Sequence, residues 1–151
     1  MGLLDERRQY ERGTGQSETD LPQPAADFFR YRQASDALYA GKEVSPGIVT
    51  LPAPGHTPGH TVFAIHSGDA SLLVLSDTAQ HPAIFARHPD WQAAFDVDGE
   101  QAVKTRKALF DRAAADRMLV TGYHFPFPAC GHLIKTASGY EHVPLPWQPT
   151  L

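Results

Sequence analysis

Cysteine is nearly missing from this 151-residue chain. Cys130 is the only one, which excludes an internal disulfide and a cysteine-based zinc site. No run of about 18 apolar residues occurs, so the sequence contains no membrane-spanning helix. Basic tracts are also missing. Thirteen Lys and Arg stand against 17 Asp and Glu, a formal net charge of -4, which argues against nucleic acid as a partner held through its phosphates. The opening stretch "MGLLDERRQYERG" lacks the apolar core of a signal peptide, leaving the cytoplasm as the default compartment and no membrane as a partner. No repeat at a solenoid period is present. What remains is the length of one domain, with 42% hydrophobic residues, enough to form a core.

Histidine is the residue in excess. There are eight, and the first is His56. Residues 1–24 are polar and carry a Gly/Ser/Thr/Asp cluster, read as a charged helical start and a loose connector. The domain proper is expected over 25–151. "AADFFRYRQASDALYAG" has helical spacing, with Gly41 as its stop. "GIVTLPAPG" and "TVFAIHSG" read as strands. "SLLVLSD" follows the turn signal "SGDA", which predicts a hairpin. From Thr78 to Gly99 no period is visible, so a long loop with one helical turn is expected. "EQAVKTRKALFDRAAAD" is the strongest helix, with Val103, Leu109, Phe110, Ala113 and Ala114 on its apolar face. "RMLVTGYH" reads as a strand and "HLIKTASGYEHVPL" as a hairpin turning at Ser138-Gly139. Mainly strands with flanking helices predict a layered α/β or α+β domain.

The chemistry concentrates in "APGHTPGH", Ala53 to His60. Pro58 and Gly59 rule out a helix across the two histidines, and with it the helical zinc-protease geometry. Either the loop is a tight turn whose histidines bond to backbone, or it aims an imidazole at a shared point. Asp77 follows the apolar run "SLLVLS" and His124 follows "RMLVTGY". A carboxylate at the end of a buried strand is costly unless it is paired or bound to a cation. His60, Asp77 and His124 each sit at a strand end, and strand ends on one edge can converge. A His/Asp/His set suits zinc, iron or manganese. Trp91, Phe125 and Phe127 could line an apolar pocket beside it or simply pack in the core. His66, His88, His132 and His142 read as surface, loop or packing residues, and Cys130 as a small buried residue with no cation to activate it.

"PGHTPGH", an apolar strand ending in "SD", and a strand ending in "GYHFPFP", taken in that order, resemble the metallo-β-lactamase superfamily. "SDTAQHP", "HPDW", the following "FD" and "HFPFPACGHL" resemble its lactonase and methyl-parathion-hydrolase-like branch. The resemblance runs from about Gly47 to Trp147. It implies that His60 binds a first metal, that Asp77 bridges two metals and acts in catalysis, and that His124 binds the second. His56 would be a turn residue behind the ligands, His81 would lie near the substrate mouth, and Tyr123 or Phe125 would flank the site. The cofactor implied is zinc or another divalent ion such as iron or manganese. The activity implied is hydrolysis of a small lactone, ester, amide or phosphotriester.

The superfamily's other signature, His-x-His-x-Asp-His, is absent from these 151 residues. The resemblance is therefore to the C-terminal half of a four-layer αβ/βα sandwich, an α+β arrangement with a mixed or antiparallel sheet. Half a sandwich leaves an apolar sheet face open, which predicts a homodimer or pairing with a missing N-terminal half. The alternative function is a non-catalytic half-domain, an assembly module that dimerises through that face.

Overall fold

The computed structural model describes residues 41–147. The polar segment 1–24 and the helix expected to end at Gly41 lie outside the described residues.

Among the described residues, seven strands form one sheet in which spatial order follows chain order. They are β1 (Glu43–Ser45), β2 (Ile48–Pro52), β3 (Thr61–Ser67), β4 (Ala70–Val74), β5 (Leu119–Thr121), β6 (Cys130–Lys135) and β7 (Tyr140–Pro144). Every neighbouring pair is antiparallel except β4 and β5. A parallel pair needs a crossover, because the chain must return to the edge it started from. Here the crossover carries α1 (Pro82–Phe85) and α2 (Gly99–Ala115).

The expected hairpin is β3–β4, and its register pairs Ser67 with Ala70. Only Gly68 and Asp69 are left to turn, and Gly68 takes φ +57°, a conformation that costs a glycine little. The second hairpin closes between Lys135 and Tyr140, as the Ser138-Gly139 signal predicts. The helical turn expected in the long loop is α1, with Pro82 in its first turn and His81 as its N-cap. In α2, Asp98 caps the first turn by accepting from the Gln101 amide at 2.9 Å, and Arg112 lies in the last turn. The buried stripe of α2 is Ala102, Thr105, Arg106, Leu109, Phe110 and Ala113. It is rotated slightly from the expected face, because Ala102 and Arg106 turn inward where Val103 and Ala114 stay half-buried. Strand β1 has no counterpart in the sequence reading, since three residues are too few to show an alternation.

The core lies between one face of the sheet and the helices. Val62, Ala64, Leu73, Val120 and Leu133 pack with Phe85, Leu109, Phe110 and Met118. The register places Phe63, Ile65, Leu72, Val74 and Leu119 on the opposite face, where they are half-buried. This second face is apolar too, so the sheet has the pattern of a layer covered on both sides. Among the described residues, no helix is long and apolar enough to cross a membrane.

Candidate metal centre

The loop between β2 and β3 is the tight turn that Pro58-Gly59 requires. It closes through Ala53 N–H to His60 O at 2.8 Å and His60 N–H to Thr57 O at 3.2 Å. It also packs against the start of α2. Gly55 has φ +132°, and a Cβ there would lie 2.2 Å from the Ala102 nitrogen, so only glycine fits. Thr105 Oγ1 donates to Pro54 O at 2.6 Å and holds the other side of the turn.

The two histidines of this turn face different ways. His60 Nδ1 lies 3.1 Å from Ala53 O, and its Nε2 accepts from the Asp77 backbone N–H at 3.1 Å. A carbonyl only accepts, so Nδ1 carries the hydrogen and Nε2 the lone pair. Burial pushes the His60 pKa below its ordinary value, with the Ala53 bond opposing. Both nitrogens of this expected ligand are hydrogen-bonded within the protein, and its ring ties the start of β3 to the turn after β4. The ring that faces the pocket is His56, expected to lie behind.

Asp77 sits in that turn, with 25% of its side chain exposed. His124 Nε2 lies 3.0 Å from its Oδ1, and His56 Nε2 lies 4.0 Å from its Oδ2. Oδ1 is sealed from solvent and makes no hydrogen bond among the described residues, despite the nearby imidazole. A carboxylate oxygen sealed from solvent, with an imidazole beside it and no well-directed hydrogen bond, is a place that suits a cation. His124 reaches the site from the loop after β5, with 62% of its side chain exposed. His56, Asp77, Gln80, Phe95 and His124 line a pocket of about 390 Å³. A larger groove of about 730 Å³ lies elsewhere, between α2 and β6, away from Asp77.

The remaining expectations divide. His81 caps α1 with its Nδ1 accepting from Ala83 N–H at 3.3 Å and does not line the pocket. Tyr123 is exposed, and its backbone N–H donates to Ser76 O. Phe125 is buried in the core, its ring edge-on to His142. Trp91 stacks on His88, and Phe127 lies beside Trp147. The aromatic wall of the pocket is Phe95 instead, edge-on to His56 with centroids 6.0 Å apart. Phe95 and Gln80 were missed because both lie in the stretch without a period; the only signal was "FD" in the family resemblance. Burial pushes the Cys130 thiol pKa up, which agrees with an inert small residue.

Two imidazoles against the two oxygens of one carboxylate form a donor set that suits a divalent cation. The set is open: among the described residues, no three His, Cys, Asp or Glu side chains are grouped so as to hold an ion as they stand. The residues fit part of a metal site.

A mixed sheet with helices packed on one face, and loops at one edge that gather histidine and aspartate, has the pattern of a partial metallo-β-lactamase-like fold. No family model and no curated protein matches the chain. Solved structures do. AidC, a dizinc quorum-quenching lactonase, shares 31% identity at TM-score 0.69, over 73% of this chain and 37% of its own. The hydrolase AbOPH of the β-lactamase superfamily shares 21% at TM-score 0.69, over 89% of this chain and 51% of its own. A probable metal-dependent hydrolase from Staphylococcus aureus shares 21% at TM-score 0.59, over 73% and 38%. The chain has a partial metallo-β-lactamase-like α+β fold and spans about half the length of these relatives or less.

Proposed function

We propose that the chain supplies His56, Asp77 and His124 to the active site of a zinc-dependent hydrolase acting on a small lactone, ester, amide or phosphotriester. The observation that carries this is the pocket in which two imidazoles approach the Asp77 carboxylate, whose Oδ1 is sealed from solvent. The identity to a dizinc lactonase supports zinc and hydrolysis. A divalent ion in such a site polarises a carbonyl or phosphoryl oxygen and makes water more acidic. His56 Nε2, the Asp77 oxygens and His124 Nε2 would hold it. Asp77 would also take a proton from an attacking water. The exposed ring of Phe95 gives the apolar part of a substrate a surface, and the Gln80 side chain donates to Asp77 O at 3.0 Å. The further ligands that close the set would come from a complementary N-terminal half or from a second copy, docked on the face of Phe63, Ile65 and Leu72.

One observation favours a second reading, a non-catalytic half-domain that assembles through that face: the open donor set. Metal analysis separates the two. Zinc should co-purify or titrate in, and His56→Ala, Asp77→Asn and His124→Ala should each lower occupancy. His60→Ala should act through stability, because its ring braces two turns. Full occupancy in His56→Ala and His124→Ala would remove the metal site, and with it the hydrolase.

A further inference from the structure

His56 is held by a side chain forty residues away, on a different element. Asp96 lies in the crossover loop ahead of α2, and its side chain is 1% exposed. Its Oδ1 is 3.0 Å from His56 Nδ1. Its Oδ2 accepts from Ala93 N–H at 3.3 Å and faces Arg106 at 3.7 Å. Arg106 is fully buried and donates to Thr78 O, Pro89 O and Trp91 O at 2.8, 3.0 and 2.6 Å. The two loops are also joined through their backbones, Val97 N–H to His56 O at 3.1 Å and Asp98 N–H to Gly55 O at 2.9 Å. The carboxylate can therefore shift little relative to the ring.

We propose that Asp96 is a positioning residue that fixes His56 in its Nδ1–H form and so presents the Nε2 lone pair to the pocket, with Arg106 anchoring the carboxylate from behind. An ionised carboxylate only accepts, so the hydrogen of the neutral ring must sit on Nδ1. Metal-binding histidines use such outer partners to set their tautomer, and losing one costs roughly 10–100-fold in metal affinity. The role rests on the proposed metal site for its purpose, but the tautomer can be read without metal.

Asp96→Asn gives the sharpest test. Ala93 N–H and Arg106 both face the Oδ2 position, so the amide oxygen of Asn settles there. The amide nitrogen then faces His56 Nδ1 and donates to it, which drives the ring hydrogen onto Nε2 and removes the lone pair from the pocket. The measurement is nitrogen-15 NMR of His56 in the full, metal-free chain at a pH where the ring is neutral. The expected result is Nδ1–H in the parent chain and Nε2–H in Asp96→Asn. Zinc alone, titrated against a chelator, should bind the variant about 10–100-fold more weakly. An Nε2–H ring in the parent chain, or an Asp96→Asn chain that binds zinc as tightly as the parent, overturns the positioning role. If Asp96→Asn fails to fold, the parent's tautomer alone decides. Zinc affinity that is unchanged by His56→Ala instead sinks the metal-site reading and leaves the tautomer result standing, so the two failures are distinguishable.

Discussion

Replacing Arg106 by Met should cost this chain about 4 kcal/mol of stability, which is large against the roughly 5–15 kcal/mol of an ordinary domain. Arg106 has no exposed surface. Methionine is shorter but keeps the packing of the aliphatic stem, and it gives up the guanidinium carbon that lies 4.4 Å from the Phe85 ring centroid. What it removes is polar. Three backbone carbonyls lose their donor, and each unsatisfied buried group costs about 1–3 kcal/mol. Asp96 loses the cation beside it, and breaking a buried pair from one side costs about 3–5 kcal/mol. These penalties overlap, because loop 78–91 can relax and admit water once its anchor is gone, so the total falls below their simple sum and near the cost of breaking the buried pair alone. Urea unfolding followed by circular dichroism is the assay. A drop in midpoint at unchanged slope reads directly as lost stability. A change below about 1 kcal/mol would show that Arg106 is not the anchor of the crossover and would refute the account of its bonds.

Gly55→Ala should lower the thermal midpoint and weaken zinc binding together, because the new Cβ must push α2 away from the turn that carries His56; an unchanged midpoint would contradict the close approach. Stability should fall as the pH drops below about 6.5. Burial pushes the His142 pKa down from 6.5, so in that window the unfolded chain binds more protons than the folded one and is favoured by acid. His142→Gln should shrink this slope without abolishing it, since His60 is shifted the same way; a slope unchanged by the substitution would count against His142. If two copies pair through the second sheet face, sedimentation should show a dimer that Ile65→Lys converts to monomer, and a parent chain already monomeric would dismiss that partner.

The fold was legible wherever one element repeats a pattern long enough to show it. The short apolar, β-favouring runs in "TVFAIHSG" and "SLLVLS", bounded by the "SGDA" turn, marked β3 and β4, and the apolar stripe of α2 announced its helix. Arg106 shows the limit of that reasoning. In sequence it belongs to the charged side of an amphipathic helix, and only the carbonyls of a distant loop make its burial tolerable. The same limit applies to His56 and His60. Four residues apart across a turn, they are equivalent as a pattern. What separates them is which ring finds the Ala53 carbonyl and the Asp77 amide, and which finds Asp96. Asp77 and His124 were easier, because a polar residue that ends an apolar strand has few places to go.

The placement of the site follows from the one parallel step in the sheet. Antiparallel pairing puts the start of β3 beside the end of β4, so the loop with His56 and the turn with Asp77 share an edge. Had β5 run antiparallel to β4, its end, and His124 with it, would lie at the opposite edge. Because β5 is parallel, with Val74 opposite Thr121, the residues that follow the two strands emerge side by side. Parallel pairing is possible only through a crossover, and that crossover must traverse the sheet and pass the edge again. Phe95 and Asp96 lie on it. The connection that brings His124 to the edge therefore also supplies the aromatic wall of the pocket and the carboxylate behind His56, and a change that loosens the crossover should reach the site even where it touches none of His56, Asp77 and His124.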